Sequence, residues 1–145
     1  MNTLNSKRSA PNAFIWPVRV YYEDTDAGGV VYYANYLKFL ERARTEWLRS
    51  LGFDQTSLSR DHNRIFVVRA LAIEFLRPAL FDDWLEAGVE IIDVRGSLIE
   101  IAQTIRRGAF TLVTAEVKVA CVNTQSFKPV RIPELILKKI AMRQA

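Results

Sequence analysis

The chain predicts an α+β fold in which one long helix is covered by a single antiparallel sheet. Three features carry that expectation. A helical apolar stripe runs from about Asn35 to Leu51. A nearly unbroken apolar run follows at Ile65–Leu76. Three alternating stretches between Leu85 and Cys121 then succeed one another with short turns between them, the pattern of an antiparallel meander.

The first strand is expected over Phe14–Glu23. Val18, Val20 and Tyr22 alternate there with Arg19, Tyr21 and Glu23, the period of a half-buried strand, and Pro17 near its start is tolerable on an edge. Asp24, Thr25 and Asp26 end it, and Gly28-Gly29 permits backbone angles closed to other residues. The period then becomes helical. Tyr36, Leu40, Ala43 and Trp47 form one stripe, widened by Leu37, Phe39, Leu48 and Leu51, with Gly52 as the stop. Glu41 with Arg44, and Glu46 with Arg49, are spaced to meet on the helix surface.

This junction is where chemistry is expected. A helix start offers unpaired backbone N–H groups and the positive end of its dipole, which together stabilise a developing oxyanion. A carboxylate on the turn feeding that helix can sit across the same carbonyl as base or nucleophile. The spacing alone leaves a second reading open, in which Asp24 and Asp26 only terminate a strand and cap a turn.

Tyr22-Glu23-Asp24-Thr25-Asp26-Ala27-Gly28-Gly29-Val30-Val31-Tyr32, then Ala34-Asn35-Tyr36 and Glu41-Arg42-Ala43-Arg44-Thr45-Glu46, resemble the signature of the hot-dog acyl-CoA thioesterases of the 4-hydroxybenzoyl-CoA thioesterase family. The likeness is greatest to the bacterial branch associated with the tol-pal system, and it continues more loosely to about Pro133. The resemblance implies a hot-dog fold, a long central helix wrapped by a five-stranded antiparallel sheet. It also implies a homodimer or homotetramer with active sites at the dimer interface, and hydrolysis of acyl-CoA thioesters, short-chain or aromatic, without metal or organic cofactor. It makes Asp26 the catalytic carboxylate and the Tyr33 backbone N–H the oxyanion donor, with Gly28 and Gly29 letting backbone and substrate approach. One departure is visible. The tol-pal branch usually carries His where this chain has Tyr33, a change that keeps the N–H and removes an imidazole. A non-catalytic module binding acyl-CoA or an acyl carrier protein, tied to envelope or lipid metabolism, is the alternative.

The remaining segments are read from their residues. Residues 1–13 are polar and aperiodic, an expected disordered tail, leaving 14–145 as a single domain. Residues 53–63 are polar, with a short helical turn, and hold the lone His62 among charges. With no second His and one cysteine, a zinc site is not expected. Ile65–Leu76 reads as a strand buried on both faces for part of its length, as one with a helix on one face and a partner sheet on the other would be, with Arg69 placed to meet either a carboxylate or a phosphate. Residues 134–142 read as an amphipathic terminal helix with a basic side, docked on the fold or lying on a membrane surface.

The net charge of +4 comes from dispersed residues without a nucleic-acid-binding motif, so no nucleic-acid partner is expected; it suits an anionic substrate such as CoA. The 145-residue chain shows no signal peptide and no apolar run of membrane-spanning length, so a cytoplasmic protein is expected. Cys121 falls on the apolar parity of a strand and reads as core filler.

Overall fold

The computed structural model describes residues 13–144. The expected tail at 1–13 lies outside them apart from Ala13. Five strands form one antiparallel sheet: β1 (Phe14–Arg19), β2 (Arg64–Phe75), β3 (Trp84–Arg95), β4 (Leu98–Arg107) and β5 (Phe110–Asn123), in spatial order β1-β3-β4-β5-β2. The helices are α1 (Asn35–Ser50), α2 (Gln55–His62) and α3 (Glu134–Gln144). This is the hot-dog arrangement. Among the described residues no helix is long and apolar enough to cross a membrane.

The core lies between α1 and the concave face of the sheet. Tyr36, Phe39, Leu40, Ala43, Trp47 and Leu48 of α1 are buried. They meet inward residues of the meander, among them Leu85, Ala87 and Val89 of β3, Ile99, Ile101 and Ile105 of β4, and Val113, Val117 and Val119 of β5. One polar link crosses this interface. Gln103, 1% exposed on β4, donates Nε2 to the Leu40 carbonyl at 3.1 Å and accepts from Arg44 Nη1 at 3.0 Å. Burial drives the Arg44 pKa below its ordinary value, so Gln103 gives a partly dehydrated cation its acceptor and ties the helix to the sheet. Arg44 is thus spent inward, while Glu46 and Arg49 form the surface pair at 3.2 Å.

Three segments differ from the sequence reading. The first strand stops at Arg19, and Tyr22–Asp24 winds into a 3-10 turn. The Asp24 carboxylate accepts the Tyr21 N–H at 2.8 Å, and that local bond outcompetes further strand pairing. Residues 55–62 make a full helix, started by a capping box between Asp54 and Ser57 and ended by Asn63 at φ 55°. β2 is an edge strand, and Val67, Val68, Leu71 and Phe75 are exposed in the single chain rather than buried on both faces. The Gln55 side chain pairs with both the N–H and the carbonyl of Phe66, at 3.0 Å each, closing one end of that edge. Arg69 sits at a register break in the β2–β5 pairing and makes no ion pair among the described residues.

Candidate active site

The loop from Asp24 to Tyr33 doubles back on itself. Thr25 bridges Val31, the Asp26 N–H donates to Val30 O at 2.9 Å, and Tyr32 N–H donates to Asp24 O at 3.0 Å. Asn35 Nδ2 reaches the same Asp24 carbonyl at 2.9 Å, clamping the loop to the first residue of α1. A third tie runs to the connection between β2 and β3. Val31 N–H donates to Ala79 O at 2.9 Å, and the buried Tyr36 hydroxyl accepts the Ala79 N–H at 2.9 Å. Burial pushes the Tyr36 phenol pKa up, so it stays protonated at neutral pH.

The two aspartates of the turn are therefore unlike. Asp24 is 8% exposed and spent on the backbone. Asp26 is exposed; its Oδ1 accepts the Gly28 N–H at 2.8 Å, and among the described residues Oδ2 has no partner. That one bond fixes the carboxylate direction and leaves an oxygen open to substrate or water. Gly28 leaves little room for a side chain, since a Cβ there would lie 3.3 Å from Asp26 Oδ1. Gly29 turns the chain at φ +80°, a region that penalises any side chain.

At the start of α1 most of the usual free donors are already used. Val31 and Tyr32 N–H groups bind Ala79 and Asp24. Those of Asn35, Tyr36 and Leu37 bind the carbonyls of Tyr32, Tyr33 and Ala34, at 2.8, 3.3 and 3.2 Å. Among the described residues, only Tyr33 and Ala34 in this run of seven donate to no protein acceptor. The positive end of the helix thus presents two adjacent N–H groups, on the same loop as Asp26. The sequence reading had singled out Tyr33. Ala34, Asn35 and the Tyr36 hydroxyl were missed as parts of the site, because their contributions are a backbone donor, a clamp and a tertiary bond that no side-chain pattern announces.

The surround is aromatic. The Tyr33 ring lies 4.9 Å from Tyr32 and meets Phe75 of β2 edge-on at 6.2 Å, and Phe75 lies 5.5 Å from Tyr36. The hydrogen-bonded Tyr33 phenol pushes the Tyr32 pKa up. On the other flank the exposed Tyr22 stacks on Phe81 at 4.2 Å. Further along α1, a cavity of about 130 Å³ lies between Glu41, Arg44 and Thr45 and the edge residues Val67 and Val68. His62 closes α2, away from this loop in the chain, and is not drawn into it by any hydrogen bond to the loop residues.

A five-stranded antiparallel sheet wrapped on one long helix, with an exposed carboxylate on the loop that feeds that helix, is the architecture of the hot-dog thioesterase class. The chain belongs to the thioesterase superfamily, whose sequence profile matches residues 28–126. It is 50% identical over 123 residues to the acyl-CoA thioesterase YbgC of Haemophilus influenzae, covering 85% of this chain and 90% of that protein. It is 36% identical over 126 residues to the acyl-CoA thioesterase YbgC of Helicobacter pylori, covering 81% and 92%. A probable thioesterase from Bartonella henselae has the same fold, with a TM-score of 0.80 at 41% identity over 83% of this chain and 99% of that one.

Proposed function

We propose that the protein is an acyl-CoA thioesterase in which Asp26 drives hydrolysis and the Tyr33 N–H holds the oxyanion. The observation that carries this reading is the pairing, on one loop, of a half-free carboxylate with unspent donors at the helix start. Asp26 either attacks the thioester carbonyl or takes a proton from the water that does. Negative charge then develops on the carbonyl oxygen, where Tyr33, joined by Ala34, donates hydrogen bonds. Collapse breaks the C–S bond and expels the CoA thiolate, which takes up the proton; on the attack route water then cleaves the acyl–Asp26 anhydride, releasing the acid and restoring the carboxylate. Gly28 and Gly29 keep the approach clear. The relatives named as acyl-CoA thioesterases support the substrate class, and the net positive charge favours an anionic thioester.

Residues 14–145 form one catalytic domain in this reading, and two copies pair along the open edge of β2, which would cover Val68, Leu71 and Phe75 and bring the aromatic surround into the interface. Short-chain or aromatic acyl groups are the substrates this reading expects, as the resemblance implies. In this reading the enzyme is cytoplasmic and belongs to the tol-pal-associated branch that its signature resembles. Tyr33 in place of His motivates the competing reading, a module that binds acyl-CoA or an acyl carrier protein without cleaving it. Thiol release from acetyl-, butyryl-, decanoyl- and benzoyl-CoA separates the two. Turnover on the short or aromatic members supports the enzyme; saturable binding with no thiol release on any member sinks it.

A further inference from the structure

Three arginines gather where β4 turns into β5, beside the connection that holds the Asp26 loop. Two are spent. Arg107 Nη1 donates to Pro78 O at 3.3 Å and to Asp83 Oδ2 at 2.7 Å. Arg106, 7% exposed, donates to Thr111 Oγ1 at 3.2 Å and Ala109 O at 3.4 Å, with Glu86 as its register neighbour on β3. The third is different. The Arg77 guanidinium lies 4.6 Å over the ring centre of Phe110, and among the described residues its side chain makes no hydrogen bond or ion pair. That cation–π contact restrains the guanidinium while leaving its N–H groups unused. Both side chains are exposed, Phe110 by 53%. Arg77 is two residues from Ala79, whose backbone binds Val31 and Tyr36 of the site.

We propose that the Arg77–Phe110 pair binds the phosphorylated nucleotide end of the CoA thioester. This rests on the acyl-CoA reading above and deepens it, by assigning where this chain recognises CoA apart from its pantetheine arm. A pre-oriented guanidinium fork matches a phosphate, and the open part of the Phe110 ring offers an adenine a stacking surface. Arg106 and Arg107, facing the single paired carboxylate of Asp83 and the neighbouring Glu86, keep the local potential favourable to an anion. The site makes the enzyme prefer CoA thioesters to the same acyl group carried on pantetheine alone.

The test is calorimetric titration of free CoA and of pantetheine into the parent, Arg77→Ala, Arg77→Lys and Phe110→Ala proteins, beside kinetics on matched acyl-CoA and acyl-pantetheine substrates. Loss of one charge-assisted phosphate contact weakens CoA binding by roughly ten-fold in Arg77→Ala. Arg77→Lys is intermediate, keeping the charge without the stacked fork. KM for acyl-CoA rises with kcat held, and KM for acyl-pantetheine stays at the parent value. Arg77→Ala binding CoA as the parent does, a parent that does not discriminate CoA from pantetheine, or an equal loss on both ligands each overturns the proposal. A parent that binds CoA through Arg77 but releases no thiol upholds this site and sinks the catalytic reading instead.

Discussion

Replacing Tyr36 by Phe isolates one bond that joins the core to the Asp26 loop. The change deletes a single oxygen and keeps the ring, with its contacts to Phe39 at 6.2 Å and Phe75 at 5.5 Å, so no cavity opens. What remains is the Ala79 N–H, which loses its acceptor on a residue that is 0% exposed. An orphaned buried donor costs about 1–3 kcal/mol. For a chain of this size each kcal/mol moves the midpoint by about 2–4 °C, so Tm falls by roughly 2–12 °C. Burial keeps the phenol protonated, so the difference between the two proteins is constant from about pH 6 to 9. Because Ala79 O also receives the Val31 N–H, the slackened loop lowers kcat as well. Urea denaturation at matched m-values, with initial rates on one acyl-CoA, reads both effects. A stability change below about 0.3 kcal/mol would mean that the Ala79 N–H is satisfied without Tyr36, and would refute this account of how the loop is held.

Three other outcomes are expected. Gly29→Ala puts a side chain at φ +80° in otherwise open space, so strain alone lowers stability by about 1–2 kcal/mol, measurable by thermal melt; an unchanged melt contradicts it. On the proposed β2 pairing, Leu71→Lys, at a residue 41% exposed on that open edge, lowers the oligomeric mass in light scattering after size exclusion, and an unaltered mass removes β2 from the interface. Cys121 is fully buried with its thiol pushed up to about 11, so at pH 8 it resists thiol reagents until the protein is denatured. Its linkage has a definite sign. A folded pKa raised above the unfolded value of about 8.5 contributes stability below that pH, which is lost as pH climbs toward the folded value.

The parts of the fold that were legible in the sequence are those whose period is set by one dominant burial face. The α1 stripe and the three meander strands bury one face against each other, so their alternation holds over most of their length, broken by register shifts at Ile91/Asp93 and Ile105/Arg106. β2 was read as covered by a helix on one face and a partner sheet on the other; the single chain leaves Val68, Leu71 and Phe75 exposed, because periodicity reports that a surface wants covering, not what covers it. The early end of β1 was invisible because it depends on a local competition, the Asp24 carboxylate taking the Tyr21 N–H. For the candidate site, the motif singled out Asp26, Gly28, Gly29 and Tyr33, and the structure gathers them on one loop ahead of α1. The division of labour between Asp24 and Asp26 was not legible, since spacing treats two carboxylates alike and only burial separates them. Ala34 as a second free donor follows from which neighbouring N–H groups are already bonded, a tertiary fact with no side chain to mark it.

The most direct test compares kcat for thiol release by the parent, Asp26→Asn and Asp24→Asn, each checked for folding by its melting transition. Asn at position 26 keeps an oxygen for the Gly28 N–H but cannot attack or take a proton, so kcat drops by roughly a hundred-fold or more with the melt nearly unchanged. Asp24→Asn loses stability first and activity only in proportion. An Asp26→Asn protein that turns over within a few-fold of the parent would contradict the assignment of the reaction to that carboxylate.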